Sequence, residues 1–189
     1  MNGQRYTGVA IWLHWLIAIG IIANIALAWT WPLLGHGDYA GAMVTTHKSI
    51  GITILALGVL RLLWRIGHRP PPFPPYKPWE RAAAHIVHWG LYLVIFAMPI
   101  SGWVMISAVK DPATMPPNLY FGLFDWPRLG FILNLPPESR RHVHEMAENA
   151  HGLIAWLVYL LVVLHLSGAF KHQMEGFKEL QRMGIGRAN

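Results

Sequence analysis

Four histidines of this chain stand inside long apolar stretches: His14, His47, His151 and His165. Burying an imidazole in hydrocarbon is costly unless a partner takes its lone pair or its proton. His151 and His165 are fourteen residues apart in A-H-G-L-I-A-W-L-V-Y-L-L-V-V-L-H-L-S-G. On a helix that turns about 100° per residue, this spacing returns both rings to within roughly 40° of one face. A rise of about 1.5 Å per residue sets them roughly 21 Å apart. That is most of the ~30 Å hydrocarbon thickness of a bilayer. Such a stripe needs two partners, one near each membrane surface, and His14 and His47 can supply them from other helices. Two imidazoles facing across a bundle can clasp the iron of a planar macrocycle, one nitrogen on each side.

The elements that must position these rings are four apolar spans, roughly 9–31, 44–66, 82–108 and 150–170. Each is near the ~20 residues that crossing a bilayer requires. The expected architecture is an all-α integral membrane four-helix bundle, a single domain over residues 1–189. Composition agrees: 54% of residues are apolar and only 13% charged, whereas soluble domains carry about a quarter charged residues. Ten Trp and six Tyr suit aromatic belts at membrane interfaces. The absence of cysteine excludes disulfides, thiolate metal sites, iron–sulfur clusters and covalent haem attachment. A formal charge of +6 raises nucleic acid as a partner. The basic residues cluster at the ends of apolar segments, however, as membrane orientation demands, so nucleic-acid binding is set aside. A cleavable signal peptide is the rival reading of the first run, with Ala26-Leu27-Ala28 as its processing site. The run is long enough to span and carries His14, which favours a retained helix.

The first connector is a short loop, P-L-L-G-H-G-D-Y-A-G-A-M. The second, H-R-P-P-P-F-P-P-Y-K-P, reads as extended polyproline. The third is about forty residues long and rich in aromatics, so a small folded outer lobe is expected there, with the fourth helix beginning near Glu138. Nine Lys and Arg (Arg5, Arg65, Arg69, Lys77, Arg81, Lys171, Lys178, Arg182, Arg187) flank one side. Five (Lys48, Lys110, Arg128, Arg140, Arg141) flank the other. This asymmetry puts both termini in the cytoplasm. His14 and His165 then share the inner level, and His47 and His151 the outer.

Further residues fit a bulky cofactor. Gly51 and Gly58 follow His47 on nearly its face, Gly152 adjoins His151 and Gly168 follows His165; close helix packing is the competing explanation for such glycines. Lys48 and Arg61 are candidates to hold propionates at the outer and inner levels, against simpler roles as an interfacial charge and a snorkelling arginine. His85 and His88 share a face at i and i+3 near the inner surface. Either could replace His14 or His165 as a ligand; a supporting role beside the ligands or on a propionate is preferred, because that span offers no matching outer histidine. His142 and His144 fall in the polar lead-in to the fourth span and read as solvated, a metal site in the lobe being the other possibility; His36, His68 and His172 read as loop or interface residues.

Taken together, I-W-L-H-W-L at His14, T-T-H-K-S-I-G at His47, V-L-R-L-L-W-R at Arg61 to Arg65, A-H-I-V-H at His85 and His88, A-H-G at His151 and L-H at His165 resemble the bacterial cytochrome b561 family over nearly the whole chain. The resemblance implies two haem b groups, one held by His14 and His165 and one by His47 and His151, in a multi-pass protein of the bacterial cytoplasmic (inner) membrane. It implies electron transfer between quinone in the membrane and a partner at the outer face. One branch of the family converts superoxide to dioxygen and reduces ubiquinone, and related subunits anchor hydrogenases and formate dehydrogenases. Three functions follow as expectations: a haem electron carrier linked to ubiquinone, which acting alone would be a superoxide:ubiquinone oxidoreductase; a haem-bearing anchor for a larger dehydrogenase or hydrogenase; and a metal-ion transporter using the histidines as a relay. Lys110, Arg128, Arg140 and Arg141 are candidates to attract superoxide, although Asp111, Asp125, Glu138, Glu145 and Glu148 share the lobe. The quinone is expected either beside Tyr120 and Trp126 or at the inner surface near His88.

Overall fold

The computed structural model describes residues 5–35, 37–109 and 117–186. His36, Lys110, Asp111 and Arg187 lie outside the described residues. The fold is four long helices: α1 Gly8–Thr30, α2 Asp38–Gly67, α3 Pro78–Ser107 and α5 Pro137–Met174. All four are long and apolar enough to cross a bilayer. Between α3 and α5 lies a small lobe, made of a two-stranded hairpin (β1 Leu119–Tyr120, β2 Phe124–Asp125) and the single turn α4 Gly130–Leu133. A last turn, α6 Glu179–Arg182, closes the described chain. The lobe and the two chain ends sit at opposite ends of the bundle, called here the lobe end and the terminal end.

The helices run beyond the expected spans where local chemistry extends them. Thr7 caps α1 by accepting the Ala10 N–H (3.3 Å). Pro78 opens α3, where a missing N–H costs nothing. The Glu80 carboxylate then accepts the Lys77 N–H at 3.2 Å. α5 starts at Pro137, well ahead of the apolar stretch, so His142 and His144 are helical. His144 hydrogen-bonds the Met105 carbonyl through Nδ1 (3.0 Å), tying the lead-in of α5 to α3.

α1 packs along α2, α2 along α3 and α3 along α5, whereas α1 and α5 approach only sparsely. The middle of the bundle is apolar. Ile17, Ile54 and Ile95 form one buried cluster, and Val94, Val158 and Leu161 another. Outward faces carry large apolar side chains in the open, such as Trp12, Leu153 and Trp156 at 70%, 72% and 72% exposure; lipid is their natural solvent. Gly58 permits the α2–α3 approach, since a Cβ there would lie 2.7 Å from Ile95 Cγ2. Packing accounts for that glycine, not cofactor clearance.

Each end is fastened by polar contacts. At the lobe end the buried Ser49 hydroxyl donates to the Thr45 carbonyl (2.8 Å) and accepts the Phe121 N–H (2.7 Å). Ser107 does the same between the Trp103 carbonyl (2.7 Å) and the Leu129 N–H (3.0 Å). Phe121 and Gly122 both take positive φ, 48° and 76°, which the tight hairpin requires. At the terminal end Tyr76 stacks on His172 (ring centres 3.9 Å apart) and donates to Glu179. Arg182 donates to the Pro72 carbonyl (2.8 Å), and the Trp15 indole donates to the Met183 carbonyl (2.8 Å). The proline-rich connector, α1 and the C-terminal turn are thus latched together.

Candidate cofactor sites

At the lobe end, His47 on α2 and His151 on α5 face each other with ring centres 6.3 Å apart. At the terminal end, His14 on α1 and His165 on α5 do so at 6.0 Å. A metal between two imidazoles needs a bond of about 2 Å on each side. Adding about 1 Å from each nitrogen to its ring centre gives a separation near 6 Å, so both pairs leave room for an iron and a flat ring between them.

The lobe-end rings are oriented by their second nitrogens. His47 Nδ1 lies 3.3 Å from the Asn24 main-chain carbonyl, which can only accept, so Nδ1 carries the proton. His151 Nδ1 lies 2.9 Å from Ser101 Oγ. The Ser101 hydroxyl gives its own proton to the Met98 carbonyl (2.8 Å) and therefore accepts from the ring. Both tautomers leave an Nε2 lone pair for a metal. A largely apolar cavity of about 250 Å³ spans this level, lined among others by His47, His151, Gly51, Gly102 and Lys48. A Cβ on Gly102 would meet the His151 ring at 3.3 Å, while one on Gly51 would meet only the Asn24 amide at 3.7 Å. The shape and the donor set fit a haem.

The terminal-end pair is surrounded differently. His88 on α3 approaches His165 with ring centres 5.4 Å apart. Phe73, from the proline-rich connector, stacks on His88 (6.0 Å, 8° between planes) and meets His85 edge-on at 4.8 Å. His85 itself is exposed on the flank of α3. Arg61 Nη1 donates to the Ala10 carbonyl (3.0 Å), one turn before His14. Arg65 lies over the Trp89 and Tyr92 rings at 5.6 and 5.4 Å. A second cavity of about 230 Å³ is lined by Arg5, Arg61, Arg65 and Arg69 with Trp64 and Tyr92. Among the described residues none of these four arginines forms an ion pair with a carboxylate. Burial raises the Tyr6 phenol on its rim, against the lowering pull of Arg182 and Arg65.

Gly152 and Gly168 have open space beside them, so neither serves close helix packing. In the lobe, Arg128 donates to the Ile106 carbonyl (3.1 Å), Arg140 to the Leu133 carbonyl (2.8 Å), and Arg141 pairs with Glu138. Tyr120 and Trp126 pack against each other and against Phe124. Sequence reasoning missed Asn24, Ser101, Gly102 and Phe73. Of these only Ser101-Gly102, a hydroxyl and a gap about two turns inside the lobe end of a span, left any mark in the sequence.

The sequence pattern of the family described as prokaryotic cytochrome b561 matches residues 5–186. Cytochrome b561 homolog 2 of Escherichia coli (strain K12) is 31% identical over 188 residues, covering 98% of this chain and 94% of its own length. The probable superoxide oxidase CybB of Yersinia pestis is 28% identical over 173 residues, 89% of each chain. Cytochrome b561 homolog 1 of Escherichia coli (strain K12) is 27% identical over 186 residues, covering 95% and 97%.

Proposed function

We propose, from the premise that this chain belongs to the prokaryotic cytochrome b561 family and is a haem b-binding electron-transfer protein of the bacterial inner membrane, that it holds two haem b groups and links the quinone pool to a redox partner at the outer face. His47 and His151 are the axial ligands at the lobe end, and His14 and His165 at the terminal end. The observation that carries this reading is the pair of ring separations, 6.3 and 6.0 Å, each between separate helices at one height. Haem b, when bound, supplies one-electron chemistry.

The chain's own residues divide the remaining work. Asn24 and Ser101 orient the lobe-end rings. Lys48 on the wall of that cavity is the propionate partner there. Arg61, with Arg5, Arg65 and Arg69 around the second cavity, is the partner at the terminal end. His88 braces His165, and His85 stands behind Phe73. The positive flank of the terminal end faces the cytoplasm.

As donor at the outer face we assign superoxide, with ubiquinone as acceptor, a reading supported by the relative named a probable superoxide oxidase. Mixing pulsed superoxide with the purified protein and ubiquinone tests it. The expected result is fast haem reduction followed by quinone-dependent re-oxidation; haem that stays oxidised under superoxide overturns the assignment. A second reading, a haem-bearing anchor subunit for a larger dehydrogenase or hydrogenase, draws on the exposed apolar tip of the lobe, where Leu123 and Phe131 are 77% and 72% exposed. A stoichiometric partner retained through mild solubilisation would favour it.

A further inference from the structure

Ser101 lies in the middle of the hydrogen-bond chain His151 Nδ1–Ser101 Oγ–Met98 O, at 2.9 and 2.8 Å. We propose that Ser101 is a positioning residue that tunes the lobe-end haem through His151. The inference rests on the reading of His47 and His151 as its axial ligands.

The direction of each bond follows from what the atoms can do. The Met98 carbonyl can only accept, so the Ser101 proton is committed to it. The serine lone pair then faces the imidazole and takes the Nδ1–H, which fixes the neutral tautomer with its free pair on Nε2. An acceptor on Nδ1–H pushes electron density into the ring and makes Nε2 the stronger donor. A stronger axial donor favours ferric over ferrous iron and lowers the reduction potential. Position is fixed as well. Pro99 interrupts the hydrogen-bond ladder of α3 two residues earlier. Gly102, one residue later, leaves the space the ring occupies, its missing Cβ lying 3.3 Å from His151 Cε1. His47 has a counterpart in the Asn24 carbonyl, at the longer distance of 3.3 Å. No side-chain substitution can remove that acceptor. Ser101, by contrast, is a side-chain acceptor that a mutation can remove while the ligand stays in place.

The test uses the purified holoprotein in detergent, with Ser101→Ala, Ser101→Thr and His151→Ala. The readouts are haem per chain, the low-spin signals in electron paramagnetic resonance, and a redox titration that resolves the two haems. Ser101→Ala is expected to shift the ferric-to-ferrous balance of the lobe-end haem about three- to tenfold towards ferrous, an upward move of roughly 30–59 mV for one electron. It should also weaken haem retention at that site about tenfold or more, while the terminal-end haem keeps its midpoint. Ser101→Thr, whose hydroxyl can bond the same carbonyl, should restore both values. An unchanged lobe-end midpoint in Ser101→Ala, or a shift in Ser101→Thr as large as in Ser101→Ala, overturns the proposal. The reading beneath it has its own control. If His151→Ala keeps both haems, the ligand assignment fails; if it loses one haem while Ser101→Ala changes nothing, only the role of Ser101 fails.

Discussion

At the lobe end, His47 and His151 have their Nδ1 atoms tied to neutral oxygen acceptors beside an apolar cavity. At the terminal end, His14 and His165 meet at nearly the same separation but beside a third imidazole, with Arg61 bonded to the Ala10 carbonyl one turn from His14 and leading into a cavity lined by further arginines. Under the proposed function one fold thus builds two cofactor levels by different physics: hydrogen bonds hold and enrich the ligands at one, and the fixed charge of Arg61 stands near them at the other. Neutral acceptors on the ring nitrogens favour the oxidised iron. Nearby cations favour the reduced iron, which carries one positive charge fewer. In the proposed function the terminal-end haem therefore has the higher potential, and electrons entering at the lobe run downhill towards the cytoplasmic side.

The largest effects that could break this contrast come from removing ligands. His151→Ala and His14→Ala should each halve the haem content, and the haem that survives in His151→Ala should titrate at the higher potential. Loss of both haems from either variant, or the opposite order of midpoints, would refute the contrast. Gly102→Val comes next. Its branched side chain must displace the His151 ring, so the lobe-end haem should be retained roughly tenfold less well. Gly152→Val, with open space around it, should leave absorption spectra as they were. Arg61→Gln should lower only the terminal-end midpoint. For a half-buried cation the expected change is about 1 kcal/mol, some 40 mV for one electron. The smallest effect belongs to the latch. Tyr76→Phe should cost about 1 kcal/mol of stability in denaturant titrations and leave both haem spectra unchanged. Burial, then the Glu179 carboxylate, raises the Tyr76 phenol above its ordinary range. Its contribution is therefore complete below about pH 10 and fades as pH climbs beyond it. Tyr76→Phe should show less alkaline loss than the parent.

The sequence displayed what depends on side-chain type and helical period. Four spans stand out as long apolar runs, and the fourteen-residue spacing of His151 and His165 puts them on one stripe at two heights. What it hid depends on neighbours across the bundle. The Asn24 contribution is a main-chain carbonyl, which any residue carries. Ser101 reads like any small residue inside a span until its hydroxyl is seen between Met98 and His151. Gly51 and Gly58 look alike in the sequence, yet one lines a cavity and the other admits Ile95. Phe73 sits in a proline-rich connector whose composition announces an extended chain, but not that one of its rings turns inward onto His85 and His88.

The isoleucine layer of Ile17, Ile54 and Ile95, with Val94, Val158 and Leu161 beside it, sets the two levels apart. Such a layer passes an electron by tunnelling but offers a proton no foothold. Turnover in the proposed direction would then carry net charge over part of the bilayer, where each elementary charge feels about 2.3 kcal/mol per 100 mV. A protein built this way would act as a small generator or a small load, with its rate set by the voltage of the membrane that holds it.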